Sequence, residues 1–270
     1  MKTMITLIVN ADDYGYDRNR TEAILECFRN RIITQTTAMV NMPYCSTAIK
    51  LARKGGFANR IGLHLNLTFG FPMTRAIRNY RLFCDEEGRF NGVFHRSTVR
   101  RFLLPKAVCR AVEEEVMAQM TAYVNMGLPL MHLDSHHHSH TDPVVLRIVL
   151  SLAHQFGFNS IRISRNLPLK RGLLKTMYKN FVNGRIVYGG FYHADFFGGA
   201  DAVMSAIPYL PDASLVEMMM HPLYSTGKNM PLNMEYDSCN GELCDTATPI
   251  SQIARRLDEI KDRVKLVIYK

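Results

Sequence analysis

The sequence predicts a distorted (β/α) barrel of the TIM-like kind, an α/β fold of predominantly parallel strands in a single domain spanning 1–270. Three observations lead there. The chain has 270 residues, the size of one such barrel. Short apolar runs alternate with longer helical patterns along nearly all of it, as βα units around a parallel sheet require. Eight of those runs qualify as strands, and no low-complexity tract or repeat of fixed period divides the chain. A doubly wound open sheet is the alternative built from the same parts.

The first strand, 4–10 (MITLIVN), follows a single lysine and ends at Asn10 without a small-residue cleavage site. It reads as a buried strand, too short for a secretion signal or a membrane span. A helix at 17–29 begins on Asp17, a capping residue. Strand 36–41 (TTAMVN), helix 45–53 and strand 61–67 (IGLHLNL) follow. The segment 68–104 is longer than a plain βα connection and is expected to form a lid over one end. Helix 105–125 leads to strand 129–134 (PLMHLD), and helix 142–155 starts with Asp142 as cap and Pro143 in the first position. Strands at 159–164, 186–191, 215–220 and 263–268 complete the set, with helices at 170–182, 199–207 and 248–261 between them.

Composition narrows the function classes. The chain is 47% hydrophobic and 21% charged, as in a globular protein and unlike a disordered one. Its formal charge of +9 raises the question of an anionic partner. The cations look scattered; the densest group is Arg100, Arg101, Lys106 and Arg110, with no aromatic interleaving of the nucleic-acid-binding kind. Six dispersed cysteines without a CxxC pair fit reduced thiols in a cytoplasmic protein, and Cys239 and Cys244 are given no role. The expected partner is a small carbohydrate, with no nucleic acid and no membrane; a homodimer is left open.

In parallel α/β folds chemistry gathers at the carboxyl ends of the strands. The first strand ends in Asn10-Ala11-Asp12-Asp13, the third carries His64, the fourth runs into HLDSHHHSH (132–140), the fifth carries Arg162, and the seventh passes into His221-Pro222. Adjacent Asp12 and Asp13 repel each other unless a cation compensates; alternatively one caps a helix and the other meets water. His64 on an apolar run is a ligand or a satisfied core residue. If the fourth strand breaks near Ser135, His136 reaches the mouth, His132 stays buried lower down, and His138 or His140 binds substrate or caps the next helix. One carboxylate with two imidazoles, and positions left for water, makes an open catalytic metal site. His221 titrates near neutrality and can serve as an acid, or only bonds a loop carbonyl. Arg162 orients Asp12 by a bidentate pair or meets a surface acid. Tyr192, Phe196, Phe197 and Tyr224 stack on sugar or fill core.

The motifs NADDYG (10–15), TTAMVN (36–41), GLHLNLT (62–68), HLDSHHHSH and MMMHP (218–222) together resemble the YdjC-like carbohydrate deacetylases, which include chitooligosaccharide deacetylases. The resemblance implies hydrolysis of the acetamide of an N-acetylated amino sugar in a distorted barrel that holds one divalent metal ion, magnesium or zinc. It assigns the metal to Asp13, His64 and His136, the general base to Asp12 and the general acid to His221. Tyr14, often Phe in the family, joins His138 and Arg162 as a candidate substrate contact. Rival readings are another metallohydrolase such as a sugar phosphoesterase, or a non-catalytic metal-binding protein.

Overall fold

The barrel is organised around β1 (Ile5–Tyr14), in which every residue but Thr6 is buried. The computed structural model describes residues 4–97, 99–169, 172–225, 230–239 and 242–270. After β1 come α1 (Arg18–Arg29), β2 (Gln35–Ala38), α2 (Cys45–Lys54) and β3 (Ile61–Leu65). Then follow a short turn of helix α3 (Val93–Arg96), the long α4 (Lys106–Asn125), β4 (His132–Ser135), α5 (Pro143–Phe156), the brief β5 (Ser160–Ile161) and α6 (Leu173–Tyr188). The chain ends through β6 (Phe196–Gly199), α7 (Ala200–Ala206), β7 (Leu215–Met220), β8 (Pro222–Tyr224), β9 (Pro231–Cys239), β10 (Glu242–Pro249), α8 (Ile250–Glu259) and β11 (Val264–Leu266).

Parallel pairing runs in the order β5-β4-β3-β2-β1-β7-β6. β7 (LVEMMM) is buried along its whole length, as a strand covered on both faces must be. One edge of β1 is shared: β11 pairs with its first residues, Ile5 to Leu7, and β2 takes over from Asn10. Between β5 and the approach to β6 the ladder gives way to separate bonds, Tyr192 N–H to the Asn159 carbonyl (2.8 Å) and Leu167 N–H to the Phe197 carbonyl (3.0 Å). The curled sheet is therefore a distorted barrel, wrapped by helices, as the alternation of elements predicts.

The strand expected at 186–191 is not one. Residues 186–188 finish α6, where Val182 and Ile186 form its buried face at helical spacing, and the sixth strand lies later, at Phe196–Gly199. The run IVYGGF has strand-like composition, but the glycine pair terminates a helix here. Of the helix expected at 170–182, residues 170 and 171 lie outside the described residues, and the described helix α6 runs from Leu173 to Tyr188. Asp17 caps α1 by accepting from Arg20 N–H (2.7 Å). Asp142 precedes α5 but makes no cap bond; its carboxylate pairs with Arg101 instead. Nothing in the sequence reading anticipated the antiparallel sheet β8-β9-β10, whose strands follow His221 directly.

The segment 68–104, in which Thr98 lies outside the described residues, contains little regular structure and is pinned by polar side chains. Glu115 on α4, fully buried, accepts from the N–H groups of Met73 (3.0 Å) and Thr74 (2.8 Å). Gln119, one turn on, bonds both the N–H (2.9 Å) and the carbonyl (2.7 Å) of Asn66. Among the described residues no helix is long and apolar enough to cross a membrane.

Candidate active site

A regular strand would send Asp12 and Asp13 to opposite faces. The register of β1 against β2 shifts between Ala11 and Tyr14, and Asp13 takes φ 68°, in the left-handed region. This bulge turns both carboxylates towards one opening. Gly15 (φ 81°) makes the exit possible, because a Cβ there would stand 2.8 Å from Cys45 Cα. The same turn sends Tyr14 the other way. Its ring lies edge-on to Phe57 in the core and its hydroxyl donates to the Ala48 carbonyl (2.7 Å), so the expectation that Tyr14 meets substrate is overturned.

Around Asp13 the predicted triad assembles. His136 Nδ1 lies 2.8 Å and His64 Nε2 3.2 Å from Asp13 Oδ1, with Arg20 Nε at 3.8 Å from the other oxygen. One ligand atom from each of Asp13, His64 and His136 falls within 4.8 Å of the others. β4 ends at Ser135 and His136 opens the following turn, so the break that aims His136 at the mouth sits where the sequence put it. The other nitrogen of His64, Nδ1, donates to Asp134 Oδ1 (2.6 Å), while Thr37 donates to Asp134 Oδ2 (3.0 Å). A carboxylate behind a histidine in this way fixes which nitrogen faces a metal.

Asp12 belongs to a second, wholly buried network. Arg162 grips it with two nitrogens (2.7 and 2.8 Å), reaches Asp134 with NH2 (2.8 Å) and donates through Nε to Glu217 (2.7 Å). With no exposed surface and every arm occupied, Arg162 holds acids in place and is not a substrate contact; that expectation is corrected. Tyr269 closes the network twice. Its hydroxyl donates to Glu217 (2.8 Å), and its N–H donates to Gln35 Oε1 (2.9 Å). Gln35 bonds Asn10 (3.0 Å), which donates to Asp12 Oδ1 (2.7 Å). Two other acid–histidine groupings, Asp12/His64/Asp134 and His132/Asp134/Glu217, are already supplied with a cation by this guanidinium.

The remaining histidines separate by role. His132 is buried and stacks on Tyr269 (centroids 4.0 Å). His140 donates from Nε2 to the Arg162 carbonyl (2.9 Å), and burial holds it down at about 4, a neutral structural residue. His137 and His138 both adopt left-handed backbone (φ 52° and 55°). His138 packs edge-on to Phe197 and its buried Nδ1 has no partner among the described residues. His221 donates from Nδ1 to the Met234 carbonyl (3.1 Å), which leaves Nε2 facing Asp12 Oδ2 at 3.8 Å. Phe197 lies buried under the Arg162 guanidinium and serves the core, whereas Tyr16 and Phe69, which the sequence reading passed over, stack on each other (4.6 Å) beside His136.

The electrostatics follow from burial opposed by neighbours. Burial alone would raise Asp13, but His136 and His64 hold it well below the usual carboxylate range. Burial would lower His64, yet Asp134 and Asp13 push it up to about 10. Asp134 is held low by Arg162 and His64 against the opposing effect of burial. Burial pushes Glu217 up to about 7 despite Arg162. His221 is lowered, chiefly by burial.

The chain is similar to several known proteins. Residues 6–259 match the family described as YdjC-like protein. A carbohydrate deacetylase of Brevibacillus brevis is 36% identical over 222 residues, covering 81% of each chain. A carbohydrate deacetylase of Geobacillus stearothermophilus is 32% identical over 271 residues, covering 97% of this chain and 96% of its own. Among solved structures, an Enterococcus faecalis protein described as a putative cellobiose-phosphate cleavage protein shares the fold at a TM-score of 0.64, with 23% identity and 83% of each chain covered.

Proposed function

The chain belongs to the YdjC-like family, and on that premise we propose that it is a carbohydrate deacetylase. It would hydrolyse the acetamide of an N-acetylated amino sugar or short chitooligosaccharide, with one divalent metal ion as cofactor. The observation that carries this reading is the convergence of Asp13, His64 and His136 beside an Asp12 held by Arg162. The donor set suits such an ion: two imidazole nitrogens and one carboxylate, with Asp134 behind one imidazole. These donors favour zinc or a similar ion over magnesium. Held there, the ion would polarise the acetyl carbonyl and make water a better nucleophile.

The rest of the chemistry belongs to the side chains. Asp12 takes the proton of the attacking water; its orientation is set by two Arg162 nitrogens and Asn10. His221 presents Nε2, because Nδ1–H is spent on the Met234 carbonyl. Neutral at rest, since burial lowers it, it receives from Asp12, 3.8 Å away, the proton taken from water and passes it to the departing amine. Two-metal phosphoester chemistry would need more free carboxylates at the mouth than this one offers, since Arg162 occupies Asp134 and Glu217.

The test is acetate release from diacetylchitobiose and other N-acetylated sugars by zinc- or magnesium-loaded protein, with phosphate release from sugar phosphates in parallel. Asp13→Asn should lose metal affinity. Asp12→Asn should keep the metal and lose about 10² to 10⁴ in kcat. Failure to release acetate from any N-acetylated sugar would overturn the reading. Metal binding with full indifference to Asp12→Asn would leave a binding protein.

A further inference from the structure

The positive charge of the chain is not spread evenly. Residues 88–112 and 143–194 contain fourteen of the 33 Lys and Arg and none of the 24 Asp and Glu. One of these cations, Arg162, is buried in the site and Arg101 is paired with Asp142; most of the others reach the surface. The remainder of the chain therefore carries more acids than bases. The two segments are neighbours in space: the Arg101 carbonyl accepts from Val144 N–H (3.1 Å), and Phe102 meets Tyr178 of α6 edge to face (5.7 Å).

The same face exposes large apolar side chains. α6 buries only Val182 and Ile186. Its other side presents Leu173, Leu174, Met177, Phe181 and Tyr188, of which Leu174 is 83% exposed. Positions 174, 177, 181 and 188 recur at helical spacing and make one stripe. Beside it stand Val99 (77%), Phe102 and Leu103 (79%). A contiguous exposed apolar strip of this extent marks a contact surface.

We propose that this apolar face, built from two segments that contain no acids, docks on an anionic lipid bilayer surface. Aliphatic side chains enter the headgroup and acyl boundary while Arg and Lys near them meet the phosphates, and both are present: Leu173, Leu174, Met177 and Leu103, with Arg185 exposed at the edge of the α6 stripe and Arg100 exposed between Val99 and Phe102 in sequence. A second copy of the chain fits less well, because like charge would face like charge. Nucleic acid fits less well too, since leucines and valines neither stack on bases nor pair with phosphate. Such docking is a surface contact, distinct from a membrane span.

The experiment is sedimentation of the full-length protein with vesicles of phosphatidylcholine alone or mixed with phosphatidylglycerol. Binding to the mixed vesicles only, weakened by salt, is expected. The double variant Leu174→Glu/Phe181→Glu should bind at least about tenfold more weakly, with unchanged thermal stability, while Tyr209→Glu, an exposed aromatic elsewhere, should bind as wild type. The inference is overturned if mixed vesicles are not bound, or if the double variant binds equally well. It is also overturned if the wild type binds duplex DNA but no vesicle, or forms a dimer that the double variant dissolves without any vesicle binding. None of these readouts depends on acetate release.

Discussion

Replacing Tyr269 by Phe removes one oxygen atom, and the structure says how far that loss should travel. The hydroxyl is the donor to Glu217 Oε2 at 2.8 Å, and both residues are fully buried. A buried acceptor left without its donor costs about 1–3 kcal/mol, which in a chain of this size lowers Tm by roughly 2–12 °C. Glu217 in turn holds Arg162 Nε, and Arg162 holds Asp12. Looser tethering of the base should lower kcat about tenfold, ~1.4 kcal/mol in the barrier, with KM and zinc affinity unchanged. Two further variants separate geometry from charge. Glu217→Gln keeps an acceptor for Arg162 and should match wild type at low pH, whereas Glu217→Met strands a buried guanidinium arm at a cost of about 3–5 kcal/mol. The pH dependence has a definite sign. Folding raises Glu217 from 4.5 to about 7, so the stability linked to its proton is full below about 4.5 and is lost as pH rises through about 7. Glu217→Gln carries no such proton and should gain on wild type above pH 7. Calorimetry across pH, with steady-state acetate assays, reads all of this. A Tyr269→Phe protein with wild-type Tm and kcat, or a Glu217→Gln protein as damaged as Glu217→Met, would refute the reasoning.

Two other outcomes follow from the same geometry. Asp134 and Asp13 push His64 up to about 10 against burial, yet as a ligand its Nε2 must offer a lone pair, so zinc binding at neutral pH should release a proton from it. Apparent affinity should then rise about tenfold per pH unit between pH 6 and 8; titration calorimetry in buffers of different ionisation enthalpy measures the proton, and zero release would contradict the assignment. Gly15→Ala places a Cβ against Cys45 at a φ of 81° and should cost about 1–3 kcal/mol, seen in urea denaturation; a neutral result would mean that the turn after Asp13 is not constrained.

How much of this could be read from the residues alone differs by element. β1, β3, β4 and β7 were legible because their apolar runs are continuous and stop at polar residues; Asp12, Asp13, His136 and His221 stood out because they sit at those stops, and His64 because it is a lone imidazole inside the run of β3. β6 was not, since Phe196-Phe197-Gly198-Gly199 has fewer β-branched residues than the helical IVY before it. β9 carried an alternating signal, Leu232, Met234 and Tyr236 between Asn233, Glu235 and Asp237, but β10 has no such alternation and the pair was passed over. The turn of Tyr14 into the core was not legible because it depends on the left-handed backbone of Asp13, which no residue pattern announces. Glu217 carried a usable signal, a lone carboxylate inside LVEMMM, which can be buried only if a cation comes to meet it. The uneven charge was hidden for a different reason. Its mark is a lack of acids over two stretches that meet only after folding, and listing the bases by position does not show it.

Four carboxylates, Asp12, Asp13, Asp134 and Glu217, crowd into one buried region in which Arg162 brings a permanent positive charge to three of them. Asp13 is treated differently. Its close partners are two histidines, with Arg20 farther off at the rim, so its charge is balanced by groups whose protons can leave. Were stability the only demand, a second fixed arginine would serve Asp13 as Arg162 serves Asp12. Compensation that can be given up is what a site needs if a cation is to enter, because a proton that leaves offsets part of the charge the ion brings and the carboxylate is never left uncovered. Removing the ion with a chelator should therefore return a proton to His64 and leave the fold intact, with the Arg162 network unmoved. Unfolding on chelation would mean that the ion, and not the proton on His64, is what Asp13 depends on for burial.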